Sequence, residues 1–144
     1  MRFVDLADGG RQLAALIPAE LVEDCVLVGV PPGGVAVGAA LGEVLGLPLE
    51  TLVVTITDHG VTVDVPVELS GCRVLVVDDG VETGTAARAV VTALRAAGAA
   101  YVALAVPVCP REAEADLRRR YDDVIAVTTP LVRRSLRWHY DTFA

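Results

Sequence analysis

The 144-residue sequence contains no lysine and no asparagine, and all twelve of its cationic side chains are arginine. The absence of lysine excludes any mechanism that runs through a lysine Schiff base. Aromatic residues make up only 4% of the chain, so the core must be aliphatic, drawn from valine, alanine and leucine. Cysteine is scarce as well. Cys25, Cys72 and Cys109 are an odd number without a CxxC pair, which argues for small buried thiols in a reducing cytosol and against a disulfide framework. Basic charge is in deficit: 12 cations against 19 carboxylates leave −7, which is not the electrostatic footprint of a nucleic-acid binder. Long apolar runs are missing. The longest uncharged stretch, 25–42, holds Pro31, Pro32, Gly33 and Gly34 and cannot span a membrane as a helix, while Asp5 and Asp8 interrupt any leader-like segment. The expectation is a cytoplasmic protein with no membrane or nucleic-acid partner. Ser70 and Ser135 are the only serines and neither sits in GxSxG; His59 and His139 are the only histidines and form no HExxH. Serine hydrolase and zinc protease chemistry are thereby excluded.

Hydrophobic residues supply 53% of the chain, enough to bury a core without staples at this length and far from the composition of a disordered segment. No repeat, low-complexity stretch or linker divides the sequence, so 1–144 reads as one domain. Asp8-Gly-Gly is expected to open a short amphipathic segment carrying Leu13, Leu16 and Ile17, stopped by Pro18. Apolar runs of strand length follow at 25–30, 73–79, 101–108 and 123–127, with helical patterns at 35–45, at 85–97 and at 111–120. The β-branched runs 51–57 and 61–65, joined by Asp58-His59-Gly60, read as a hairpin. In 111–120 acids precede arginines, and Glu114–Arg118 and Asp116–Arg120 have the spacing of surface pairs on a helix. Apolar strands alternating with helices predict an α/β fold with a parallel sheet covered on both faces.

Ligands of such a sheet bind beyond the carboxyl ends of the strands. Two strand ends carry unusual loops. One is Val-Pro-Pro-Gly-Gly at 30–34, and the other runs Asp78-Asp79-Gly80-Val81-Glu82-Thr83-Gly84-Thr85 into the most regular helix of the chain. In the second loop, glycines allow close approach, and the helix start with the Thr83 and Thr85 hydroxyls makes an anion site. The carboxylates in front of it repel a bare phosphate. They suit a ligand that also presents a vicinal diol or a bound Mg²⁺, and a ribose phosphate has both ends. Asp and Thr as ordinary turn and cap residues are the competing reading.

Val74 to Ala86, VLVVDDGVETGTA, resembles the PRPP-binding signature of the type I phosphoribosyltransferases: an apolar strand, two acids, then a loop ending in Thr-Gly-x-Thr or similar. The stretch 28–50 resembles the first strand, pyrophosphate loop and following helix of that family, and 129–143 resembles the end of many bacterial members. The resemblance implies a parallel-sheet type I phosphoribosyltransferase-like fold with a reduced hood, here the short hairpin. It further implies that Asp78 and Asp79 bind the ribose hydroxyls of PRPP, with Mg²⁺ nearby, and that Gly80, Val81, Glu82, Thr83, Gly84, Thr85 and Ala86 wrap the 5-phosphate. Pro32, Gly33 and Gly34 would form the pyrophosphate loop. The implied reaction is displacement of pyrophosphate from C1 of the ribose by a nucleobase or related nitrogen acceptor, with Glu82 and Asp79 as the catalytic carboxylates. A homodimer is expected from the habit of the family and the high aliphatic content. His59 is a candidate substitute cation on the acceptor side, against an exposed turn residue. Trp138 is a candidate flank for the acceptor base, against a cap on the core under the C-terminal tail.

Three features depart from the family pattern. Pro31-Pro32-Gly33-Gly34 stands where relatives often have Pro-Arg-Gly-Gly; Thr55-Ile56-Thr57 carries no cation after the second strand; and the hood is a tight hairpin. They weaken the pyrophosphate half and leave the ribose-phosphate half whole. The alternative function is therefore a non-catalytic protein that binds PRPP or a nucleotide, and a weaker one is a hydrolase using water as acceptor.

Overall fold

The computed structural model describes residues 2–143. In chain order the elements are α1 (Leu6–Ala14), α2 (Ala19–Val22), β1 (Val26–Gly29), α3 (Gly33–Leu45), β2 (Leu49–Thr51), β3 (Val53–Thr57), β4 (Gly60–Asp64), β5 (Arg73–Val77), α4 (Thr85–Ala96), β6 (Tyr101–Val108), α5 (Arg111–Arg120), β7 (Asp123–Thr128) and a 3₁₀ turn, Leu136–His139. Five strands form one sheet in the order β2-β1-β5-β6-β7, parallel throughout, and β3 and β4 form a separate antiparallel hairpin. This is the α/β architecture expected from the alternation of apolar runs with helices. The strands alternate between two cores because successive side chains of a strand point to opposite faces. Val74 and Val76 of β5 pack on the side of α4 and α5, whereas Leu75 and Val77 pack on the side of α1 and α3. Both faces being buried, the strands read as continuous apolar runs. No helix among the described residues is long and apolar enough to cross a membrane.

Three boundaries differ from expectation, the first two for a packing reason. Helix α1 begins before Asp8: Asp5 is its N-cap, accepting the Asp8 N–H at 2.8 Å. Gly9 and Gly10 then fall inside the helix, where a Cβ on Gly10 would collide with the Val37 carbonyl oxygen. Gly10 is there for close packing of α1 on α3, and Gly9 for the approach of Pro107 of β6, where a Cβ would lie 2.8 Å from the proline ring. The run 51–57 is not one strand. Leu52, only 1% exposed, donates its N–H to the Gly29 carbonyl at 3.1 Å, so the chain leaves the main sheet there and the hairpin rises as a separate unit. Helix α3 starts at Gly33, two residues earlier than the pattern of apolar residues suggests. The pairs Glu114–Arg118 and Asp116–Arg120 form at 3.4 and 3.1 Å, as their spacing predicts.

The tail returns to the chain start. Phe3 N–H donates to the His139 carbonyl at 2.7 Å and Asp141 N–H to the Phe3 carbonyl at 2.8 Å. Leu136 and Tyr140 are thereby carried to the carboxyl end of β5.

Candidate active site

β1 and β5 are neighbours, and just past β1 the Val30 N–H donates to the Val77 carbonyl at 2.9 Å. Their carboxyl ends therefore open side by side onto a cavity of about 400 Å³. Val30, Pro31 and Pro32 form one side, the stretch from Asp78 to Ala87 another, and Val54, Ile56 and Val61 of the hairpin face them together with Leu136. Three carboxylates line this cavity and, among the described residues, no cationic side chain does.

Asp78 and Asp79 are half-buried and bonded to each other through the backbone: Asp78 Oδ1 accepts the Asp79 N–H at 2.7 Å. Burial, and then the Asp79 charge, push the Asp78 carboxyl well above the usual carboxylate range; burial raises Asp79 as well, against the hydrogen bond from Asp78. Two acids held side by side in a poorly solvated crevice resist ionising together. α3 wedges against them from its first turn. A Cβ on Gly33 would collide with Asp79 Oδ2, and one on Gly34 would lie 2.6 Å from the Val77 carbonyl oxygen. The Pro-Pro-Gly-Gly loop thus presents Pro31 and Pro32 to the cavity and uses its glycines to seat the acidic pair. From the other side the Tyr140 hydroxyl donates to the Asp79 carbonyl at 2.5 Å, with burial first and the Asp79 charge second raising the phenol.

The loop 80–84 closes tightly. Gly80 has φ +152, with no room for a Cβ because Leu136 Cδ2 fills that space, and Gly84 has φ +88. Gly84 is the N-cap of α4 and has no side chain to satisfy the first-turn N–H groups, and no acid lies in that turn. The Thr83 and Thr85 hydroxyls stand 3.2 Å apart in front of it. Orphan amide donors plus hydroxyls at the positive end of a helix form a cradle for an anion.

Glu82 is an exposed residue whose carboxylate does not simply face solvent: its Oε1 accepts the Leu136 N–H at 2.7 Å, tying the loop to the C-terminal segment. His59 lies at the exposed tip of the hairpin, bonded through its backbone N–H to Thr57 Oγ1 at 3.2 Å, and is not among the cavity's lining residues. Trp138 neither lines the cavity nor caps the core. It is 41% exposed, with the guanidinium carbons of Arg134 and Arg2 at 4.3 and 5.6 Å from its ring centre. Leu136, two residues earlier, lines the cavity.

Sequence reasoning missed Leu136, Tyr140, the apolar hairpin face and Arg88. Arg88 lies behind the loop, donating from Nη1 to the Thr83 carbonyl at 3.3 Å and from Nη2 to Thr85 Oγ1 at 3.4 Å. Its signal was available: a residue three positions beyond Thr85 on a helix returns to the same face one turn on.

The sequence profile of the phosphoribosyl transferase domain matches residues 6–135. The chain belongs to that family, and the matched stretch includes the residues from Val30 to Ala87 that line the crevice. A Mycobacterium tuberculosis protein provisionally named a phosphoribosyl transferase is 35% identical over 77 residues, which is 54% of this chain and 17% of that protein. The alignment thus spans less than a fifth of the length of the curated relatives. A crystal structure of a Thermus thermophilus protein shares the fold at TM-score 0.86, covering 100% of this chain and 92% of the other at 24% identity. Orotate phosphoribosyltransferase from Aeropyrum pernix is similar at TM-score 0.65 and 30% identity, covering 83% of this chain and 69% of that one.

Proposed function

We propose that the protein transfers the ribose 5-phosphate unit of PRPP to an uncharged nitrogen base, releasing pyrophosphate. The observation that carries this reading is the acidic pair Asp78–Asp79 standing beside the uncapped start of α4 on one cavity. The Thr83-Gly84-Thr85 cradle takes the 5-phosphate, and the acidic pair accepts hydrogen bonds from the ribose hydroxyls. The hairpin face of Val54, Ile56 and Val61, with Leu136, offers an apolar wall to a flat base. A carboxylated acceptor such as orotate would meet Asp79 and Glu82 with no cation lining the cavity among the described residues, so an uncharged nucleobase fits better. The base nitrogen attacks C1 as the C1–oxygen bond to pyrophosphate breaks, and the proton lost by the nitrogen passes to Glu82 or to water. Positive charge develops on the ribose ring in this step, and the carboxylate of Asp79 stabilises it.

Mg²⁺ fits this donor set only in part. Asp78 and Asp79 offer hard carboxylate oxygens, but among the described residues no group of three or more ligating side chains could hold a metal ion. Magnesium keeps several waters and takes phosphate oxygens readily, so it would arrive with the pyrophosphate and neutralise its charge.

The cation-free lining favours a second reading, a protein that binds a nucleoside monophosphate without turnover. Incubation with PRPP, Mg²⁺ and a panel of nucleobases, measuring pyrophosphate release, separates the two. Release with an uncharged base supports transfer. Binding of a nucleoside monophosphate without release under any base supports the alternative. Calorimetry adds a check on the site itself: ribose 5-phosphate should bind more tightly than pyrophosphate, and the reverse order would contradict the assignment of the cradle.

A further inference from the structure

The start of α4 holds a cation where the helix dipole disfavours one. Arg88 occupies the first turn after Thr85, close to a helix end that already carries partial positive charge. Its guanidinium reaches back over the loop, touching the Thr83 carbonyl and Thr85 Oγ1 at 3.3 and 3.4 Å. The absence of a side chain at Gly84 makes room for it, because a Cβ there would stand 3.0 Å from Arg88 Nη1. An anion on the other side of the loop would add to these hydrogen bonds and offset the repulsion by the dipole.

The direction of the hydrogen bonds supports that occupant. A guanidinium has donors only, so Thr85 Oγ1 must accept from Arg88. The Thr85 proton is then turned away, toward Thr83 Oγ1 at 3.2 Å or toward a ligand in the cradle. The pair of hydroxyls is thereby set to donate into the loop. Behind Arg88 stands a counter-charge from another helix: Asp116 Oδ2 of α5 is 3.6 Å from Arg88 Nη1 and is shared with Arg120 at 3.1 Å.

We propose that Arg88 is the positioning cation of the 5-phosphate cradle, acting through the loop rather than from inside the cavity, and that Asp116 sets its strength. This rests on the ribose-phosphate reading of the site. Arg88 polarises Thr85 and adds positive potential that the cavity lining itself does not supply. Asp116 draws part of that potential away.

The two residues therefore act in opposite directions, which a merely structural ion pair would not. Calorimetry with ribose 5-phosphate at low ionic strength is the test. Arg88→Gln weakens binding by about tenfold, the size expected for one charge-assisted hydrogen bond. Asp116→Asn keeps an acceptor, removes the charge, and tightens binding by about twofold to threefold, the scale of an exposed ion pair. Raising the salt shrinks both differences. If Arg88→Gln does not fold, Arg88→Lys carries the test. Lysine keeps the charge but cannot reach Thr83 and Thr85 together from one planar fork, so binding several-fold weaker than wild type is expected. Equal affinity in wild type and the Arg88 variant overturns the inference, and so does a loss of affinity in Asp116→Asn. Failure of the wild-type protein to bind ribose 5-phosphate overturns the reading of the cradle itself and is distinguishable from both.

Discussion

Asp78 is where the site and the stability of the fold oppose each other, and replacing it by asparagine exposes the conflict. The carboxyl is half-buried, beside Asp79, and its proton affinity is raised by burial and then by that neighbour. A group whose native pKa lies above its unfolded value favours the folded state while protonated and loses that contribution as it ionises. The unfolded carboxyl ionises near pH ~4, so the native protein begins to lose stability there and continues to lose it until the raised native value is passed. Asparagine keeps the Oδ1 that accepts the Asp79 N–H at 2.7 Å, removes the repulsion and adds a donor facing the Asp79 carboxylate. Relief of one poorly solvated charge is worth about 1–2 kcal/mol. At this chain length that corresponds to a rise in Tm of about 3–8 °C. Thermal melts of the ligand-free protein from acid (about pH 4) to mildly alkaline (about pH 8) conditions should show no gain for Asp78→Asn at the acidic end and a growing gain toward neutrality, levelling off above the native pKa. The same variant should lose the stabilisation that ribose 5-phosphate confers on the wild type. A gain independent of pH, or a lower Tm at the alkaline end, would refute the reasoning.

The remaining expectations concern the loop and its supports. Gly84→Ala puts a side chain at φ +88, 3.0 Å from Arg88 Nη1, and should cost about 1–2 kcal/mol in denaturant unfolding while abolishing ribose 5-phosphate binding. Tyr140→Phe removes the hydrogen bond to the Asp79 carbonyl and should cost about 1 kcal/mol, measured by chemical denaturation. Glu82→Gln can still accept the Leu136 N–H, so the loop stays tied while the base is removed; turnover should fall roughly a hundredfold with PRPP affinity unchanged. Turnover that survives this change would remove Glu82 from the chemistry. Gly34→Ala drives a Cβ to 2.6 Å from the Val77 carbonyl oxygen, against backbone that cannot swing aside, and should lower Tm with a loss of about 1–3 kcal/mol.

The parts of this protein that are continuous in sequence were legible from it. A valine-rich strand, two acids, a glycine loop and an amphipathic helix follow one another from Arg73 to Ala96, and each announces itself through local conformational preference and periodicity. The parallel sheet followed from strands apolar on both faces. The boundaries that moved were set by contacts across the fold. Gly10 belongs inside α1 because Val37 approaches it, and the run 51–57 breaks because Leu52 is anchored to Gly29. The site's remaining walls are of the same kind. Glu82 meets the Leu136 N–H across 54 residues, and Tyr140 meets the Asp79 carbonyl across 61. Trp138 and Leu136 lie two residues apart, and the chain alone does not say which one turns inward. Only the return of the tail to Phe3 decides it, because backbone hydrogen bonds between the two ends of the chain set the rotation of that segment, and local sequence carries no record of a partner so far away.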